Sequence, residues 1–190
     1  MNYFKESISV EPLAKRKKFP KDAVAARVDS LETAMLWACH YLGVMRHLAK
    51  QPAIVLDIDG TVLLNQKNGS AKCVTSFRKL CDSCAKCNIT VFFVTAREEN
   101  EENRAWTCRQ LNKCCGFEAE NDERLYMKLP SDPYCMSKEA AREDIRKKGY
   151  SILLTFGDQW CDHVSANITT TKDYIIGCMH SSAFVKIPPE

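Results

Sequence analysis

The sequence predicts an α/β fold, a parallel sheet with helices on both faces, and two observations carry that expectation. Beyond Pro52, short apolar runs rich in β-branched residues alternate with stretches of helical periodicity, as strands joined by helical crossovers do. Two aspartates one residue apart, Asp57 and Asp59, close the first apolar run, "AIVLDIDGTVLL". Sheets of this kind collect their ligands at such strand ends.

Composition limits what else the chain can be. At 190 residues, 45% hydrophobic and 27% charged, it amounts to one globular domain plus an extra element, with a core that needs no disulfides. A net charge of +3 supplies no global basic field for nucleic acid or an anionic membrane. No apolar run approaches membrane-spanning length, and the opening residues lack the apolar stretch of a secretory signal. An intracellular, cytoplasmic protein is expected. Eleven cysteines cannot all pair with one another. In "CDSCAKC", Cys81, Cys84 and Cys87 stand at three-residue intervals, but no second CxxC or His pair completes a zinc site. With Val74, Phe77 and Leu80 these sulfurs fall at helical spacing, so a buried helix face is the stronger reading. In a reducing compartment the cysteines are expected as thiols.

Taken in order, residues 1–22 carry few apolar residues and no period, and read as a mobile basic lead-in. Its run Lys15 to Lys18 reads either as solvated surface or as a nuclear address. Over residues 23–50 Val24, Val28, Leu31, Met35, Leu42, Met45 and Leu48 recur at three- and four-residue steps, predicting a helical extension packed on the core and ended by Pro52. The core, residues 51–190, predicts strands at 53–58, 89–95, 150–158 and 173–178 and helices at 71–87, 99–114 and 137–148. Gly116 and Gly149 are stop signals past the second and third of these helices. In the flap after the aspartates, Asn68-Gly69 suggests a hairpin turn.

The strand ends carry the chemistry. Two carboxylates as close as Asp57 and Asp59 repel one another unless a cation or a shared proton compensates, and a divalent metal such as Mg²⁺ suits such a site. The same pair suits covalent phosphoryl transfer, one Asp as nucleophile and the other as proton donor. Matching parts end the other strands. "VFFVTAR" closes with Thr95, a hydroxyl able to hold a phosphate oxygen, and Arg97 follows as a phosphate contact or as a surface partner of the glutamates beyond it. "TFGDQWCD" supplies Asp158 for the metal, and Asp162 either for the metal or to orient a lysine. That lysine, Lys138, opens the preceding helix and can neutralise both nucleophile and phosphoryl group. Lys128 lies in a strand-like segment and fits less well; Trp160 reads as a packing anchor, and His40, His47, His163 and His180 are scattered singly.

With these residues in place, the chain resembles the haloacid dehalogenase (HAD) superfamily of phosphatases. "DIDGT" resembles its first motif, "FFVT" its second, Lys138 its third and "GDQWCD" its fourth, in that order. From composition, DxDGT alone arises by chance in a chain of this size at roughly a few per thousand. Within the superfamily, "SKEAAREDIRKKGYSILLTFGDQWCD" and "EENRAWTCRQLNKCCGF" resemble the class B-like acid phosphatases, the plant vegetative storage protein group included, and Asn65 falls where that group carries an asparagine.

The resemblance implies a three-layer, Rossmann-like HAD core with an N-terminal helical extension and no large cap. It implies a Mg²⁺-dependent phosphomonoester hydrolase in which Asp57 is the nucleophile, Asp59 the acid and base, and Thr95, Lys138 and Arg97 the substrate contacts. Asp57, Asp59 (through its backbone carbonyl), Asp158 and Asp162 form its metal set. Small phosphate esters such as nucleotides are the expected substrates. Nucleic-acid ends or phosphoproteins are the alternative, and a non-catalytic storage or scaffold role is less favoured because it would need no metal-ready carboxylates. The acid phosphatases it resembles are typically exported, whereas this chain shows no leader and many cysteines, so the cytoplasmic expectation stands beside the resemblance.

Overall fold

In the computed structural model, which describes residues 8–12, 24–28, 31–65, 71–117, 123–162, 176–179 and 182–186, the apolar runs are strands of one sheet. The chain runs β1 (Ile8–Pro12), β2 (Val24–Val28), α1 (Leu31–Met45), β3 (Pro52–Leu56), β4 (Leu63–Asn65), β5 (Ala71–Cys73) and α2 (Thr75–Lys86). It continues through β6 (Thr90–Glu98), α3 (Glu101–Cys115), β7 (Leu125–Lys128), α4 (Tyr134–Lys147), β8 (Ser151–Gly157), β9 (Ile176–Met179) and β10 (Ser182–Lys186). The large sheet has the order β1-β2-β9-β10-β8-β3-β6-β7, and β4 and β5 form a separate hairpin. From β10 to β7 every pairing is parallel.

Side-chain alternation along the buried strands builds the three layers. Ile54 and Leu56 of β3, with Val91 and Phe93 of β6 and Leu154 and Phe156 of β8, pack in one core with Ala38 of α1, Phe77 and Leu80 of α2 and Leu111 of α3. Ala53, Val55, Phe92, Val94 and Ile152 point to the other face and pack against Ala141 and Ile145 of α4. These strands are buried on both faces, which is why they read as unbroken apolar runs.

The helix limits follow local chemistry. Asn100 caps α3, its side chain accepting from the Asn103 amide at 2.8 Å, and Glu101 and Glu102 fill the first turn, where the helix dipole favours negative charge. Gly116 ends α3 in the left-handed region at φ 68°. The hairpin expected in the flap forms, with Leu63 opposite Cys73 and Asn65 opposite Ala71; its tip, Asn68-Gly69, lies outside the described residues.

Four expectations are corrected. Val24–Val28 is a strand rather than the start of the helical extension: a short apolar run does not separate helix from strand by its period, and pairing with β9 decides. Part of the lead-in, Ile8–Pro12, is the strand at the sheet's edge, a position that tolerates Pro12; Lys15 to Lys18 lie outside the described residues. The sheet is mixed beyond β10, because β9 and β10 are two residues apart, too close for a crossover, and so run antiparallel. One cysteine pair is not thiol: Cys73 of β5 and Cys114 of α3 form a disulfide across 41 residues. Of the "CDSCAKC" sulfurs, Cys84 is buried in the core and its thiol pushed up by burial, the inert condition, while Cys81 and Cys87 are half-buried and pack against that core. No helix among the described residues is long and apolar enough to cross a membrane.

Candidate active site

The strand order reverses at β3, whose neighbours β6 and β8 lie ahead of it in sequence but on opposite sides, so the carboxyl ends of these three strands frame a crevice. Register brings the residues together there. Leu56 pairs with Phe93 on one side and Phe156 on the other, and the Asp57 amide donates to the Phe156 carbonyl at 2.9 Å. Asp57 and Asp158 therefore follow the ends of β3 and β8, and Thr95, still inside β6, stands beside them toward the same end of the sheet.

Asp57 is 4% exposed and held at both oxygens: Lys138 Nζ donates to Oδ1 at 2.5 Å and Thr61 Oγ1 to Oδ2 at 3.1 Å. Lys138, 2% exposed, reaches it from α4 and also donates to Asp162 Oδ1. The second Asp162 oxygen accepts from the Gln159 amide at 2.9 Å, so this carboxylate closes its own turn and aims the lysine. One oxygen each from Asp57, Asp158 and Asp162 lie within 4.8 Å of one another, the one such group with metal-ligand composition among the described residues.

Two glycines clear the space. Gly60 lies at φ +80°, and a Cβ there would stand 2.6 Å from Asp158 Oδ2. At Gly157 a Cβ would overlap the Asp162 side chain. A side chain at either place would displace a carboxylate, which is why both motifs carry glycine.

The charge balance asks for a cation. Three carboxylates face the Lys138 ammonium, with the buried Arg142 guanidinium on the far side of Asp162. Burial first, and then the charge of Asp162, push Asp57 up to about 8, against the pull of Lys138. Asp158 is raised by burial and by Asp162 as well. Burial works against the charge on Lys138, but the carboxylates of Asp57 and Asp162 outweigh it and raise its value. An all-oxygen donor set carrying excess negative charge in a buried crevice fits a hard divalent cation.

Asp59 stands apart from that cluster. Its carboxylate, 37% exposed, receives two parallel hydrogen bonds from Arg97, Nε to Oδ2 at 2.8 Å and Nη2 to Oδ1 at 2.7 Å. Nη1 of Arg97 donates to Thr107 Oγ1 at 3.0 Å and to Gln110 Oε1 at 2.7 Å, and the Trp106 ring covers the guanidinium at 4.5 Å. Arg97 is thus spent on Asp59 and α3 instead of standing open for phosphate. Thr95 is buried, its hydroxyl accepting from the Arg97 amide at 3.3 Å. Lys128 points elsewhere, to Glu98 and the carbonyls of Leu129 and Asp132.

Sequence reasoning missed Thr61, Thr107, Gln110 and Arg142. Arg142 follows Lys138 by one helical turn and donates from beneath the fourth-motif turn to the Cys161 carbonyl at 2.8 Å. Its i+4 position was the available signal. Thr107 and Gln110 are three apart on α3, but nothing local ties them to Arg97.

No curated protein matches the chain. Residues 64–188 match the family model described as HAD superfamily, subfamily IIIB (Acid phosphatase), a stretch that begins just after Asp57 and Asp59 and takes in Thr95, Lys138, Asp158 and Asp162. Carried by that match and by the crevice it surrounds, the chain belongs to subfamily IIIB of the HAD superfamily, the acid phosphatases, and is a phosphoric monoester hydrolase.

Proposed function

We propose that the protein is a Mg²⁺-dependent phosphomonoesterase that works through an aspartyl-phosphate on Asp57 and acts on nucleotides or other small phosphate esters. The observation that carries this reading is the division of labour between the two aspartates. Asp57 is buried among cation-ready groups, while Asp59 is partly open and held in one direction by Arg97.

An oxygen of Asp57 attacks phosphorus, and the bond from phosphorus to the ester oxygen breaks. The departing oxygen takes a proton from Asp59. In the second half Asp59 takes a proton from water as it attacks phosphorus, and the bond to Asp57 breaks to release phosphate. The two-point clamp of Arg97 fixes the direction in which the Asp59 carboxylate faces. Thr95 and Lys138 hold phosphoryl oxygens, with Asp162 and the Gln159 amide keeping the lysine in line. Asp57, the Asp59 carbonyl and Asp158 would hold Mg²⁺, with Asp162 at its edge, and the ion would supply compensation for phosphoryl charge.

The test is hydrolysis of p-nitrophenyl phosphate and a panel of nucleoside monophosphates with Mg²⁺ or EDTA, for the wild type and Asp57→Asn. Metal-dependent turnover that is lost in the variant is expected. Absence of turnover on every small ester would overturn this reading. It would favour substrates such as nucleic-acid ends, which no large cap among the described residues would block, with binding that falls steeply with salt.

A further inference from the structure

No thiol takes part in the proposed hydrolysis, yet two of them meet toward the other end of the sheet. Cys81 of α2 and Cys115, the last residue of α3, are in side-chain hydrogen-bond contact. Both line a cavity of about 290 Å³ together with Asp82, Phe93, Phe117 and Arg124. The cavity reaches Val91 near the start of β6, whereas the phosphatase crevice stands toward that strand's carboxyl end, so the two are separate places. Cys115 follows Cys114, whose sulfur is bonded to Cys73; neighbours on a helix do not face the same way, which leaves Cys115 to meet α2. Within the pair the roles differ. Cys81 is half-buried and Cys115 buried. The hydrogen bond to Cys81 and then burial raise the Cys115 thiol, so Cys115 keeps its proton and donates it toward Cys81. A guanidinium stands close by: a Cβ on Gly116 would lie 2.9 Å from Arg78, whose charge acts on Cys115 against the raising effect of Asp82.

We propose that Cys81 and Cys115 form a redox-active pair, a modification site at which Cys81 exchanges with a low-molecular-weight disulfide and Cys115 resolves the product into an internal bond. A half-buried sulfur in a cavity, backed by a buried thiol that donates to it and by a nearby cation, is the setting in which a cysteine reacts as its thiolate. In the first step Cys81 Sγ, its proton lost to water, attacks one sulfur of the small disulfide. The bond between the two small-molecule sulfurs breaks, and the departing thiolate takes up a proton. In the second, Cys115 Sγ attacks Cys81 Sγ, the mixed disulfide breaks, and the second small thiolate leaves with the proton that Cys115 gives up. Two protein thiols are thereby oxidised to one disulfide while one small disulfide is reduced to two thiols. The product would join α2 to the last turn of α3, beside the bond that already joins that turn to the flap. This assignment is independent of the substrate and of the roles of Asp57 and Asp59.

The test treats the full chain with oxidised glutathione, then alkylates the remaining thiols and maps the peptides by mass spectrometry over time, for the wild type, Cys81→Ser and Cys115→Ser. Without the added disulfide the pair is expected to stay reduced, as it stands in the structure, with Cys73 and Cys114 bonded throughout. With it, Cys81 of the wild type should be lost to alkylation on the order of tenfold faster than Cys39 or Cys87 and should end in a peptide pair joined through Cys115. Cys115→Ser should instead accumulate one glutathione on Cys81, and Cys81→Ser should leave Cys115 a thiol. Loss of Cys81 no faster than that of Cys39 and Cys87, or a first new bond joining Cys39 to Cys87 or Cys81 to Cys84, would overturn the assignment. So would a glutathione that persists on Cys81 of the wild type, since Cys115 would then resolve nothing. Should Cys115→Ser fold poorly, the wild-type time course decides alone: the mixed disulfide on Cys81 must rise and fall ahead of the internal bond.

Discussion

Asp57 is the residue on which the site turns, because its surroundings ask two incompatible things of it. Burial and the neighbouring Asp162 push its carboxyl up to about 8 from an ordinary value of 3.8, while the nucleophile proposed for the reaction must be ionised. A folded value above the unfolded one means that Asp57 contributes its stabilisation fully below about pH 4 and loses it as the pH rises through about 8. Asp158, raised for the same reasons, acts in the same direction. Without divalent metal, the melting temperature of the wild type is therefore expected to fall relative to that of Asp57→Asn between pH 4 and pH 8, and Mg²⁺ is expected to flatten the difference. A difference already flat in EDTA would show that Asp57 is ionised throughout. Arg97 makes the second prediction at this scale. Lysine has no planar fork for two parallel bonds to Asp59, so Arg97→Lys should lower kcat on the order of 10- to 100-fold with a smaller change in KM. Steady-state kinetics on p-nitrophenyl phosphate reads this directly.

Elements carry these residues to their places, and two connections do most of it. Helix α4 brings Lys138 and Arg142 to the fourth-motif turn on successive turns of one face, so a single helix supplies both buried cations beneath Asp162. The disulfide between Cys73 and Cys114 ties the β4–β5 flap to α3, the helix that also holds Arg97 through Thr107 and Gln110. Closing a loop of 41 residues stabilises by about 4 kcal/mol in the chain-entropy model. Cys114→Ser is expected to lose an amount of that order in urea unfolding under oxidising conditions. Dithiothreitol should bring the wild type to the variant's level and leave the variant unmoved; equal sensitivity of both would refute the tether.

At the scale of the molecule, the sheet's two apolar faces and its reversal at β3 create a crevice whose carboxylates carry more negative charge than Lys138 offsets. Binding of a cation to the folded chain alone must then stabilise the whole domain. At a hundred times its Kd, Mg²⁺ should add about 2.7 kcal/mol, or roughly 5 to 10 °C in Tm for a domain of this size. The shift should vanish in Asp158→Asn. An equal shift in the variant would place the ion elsewhere.

The amino-acid order by itself determined the parallel core and the residues of its crevice. The apolar runs at β3, β6 and β8, the stops at Gly116 and Gly149, and Asp57 and Asp158 just past strand ends were all legible, as were Thr95 and Lys138, although β6 runs on past Thr95 to Glu98 and α4 begins at Tyr134, a turn before Lys138; each depends on spacing within one element or on a motif of a few residues. Only the tertiary structure decided that Val24–Val28 joins the sheet, that Cys73 meets Cys114, that Asp162 aims Lys138, and that Arg97 serves Asp59 from 38 residues away. These are contacts between distant segments whose energy depends on register and burial. A local pattern fixes which side of an element a residue occupies, while the group waiting on that side is set by the packing of the rest of the chain.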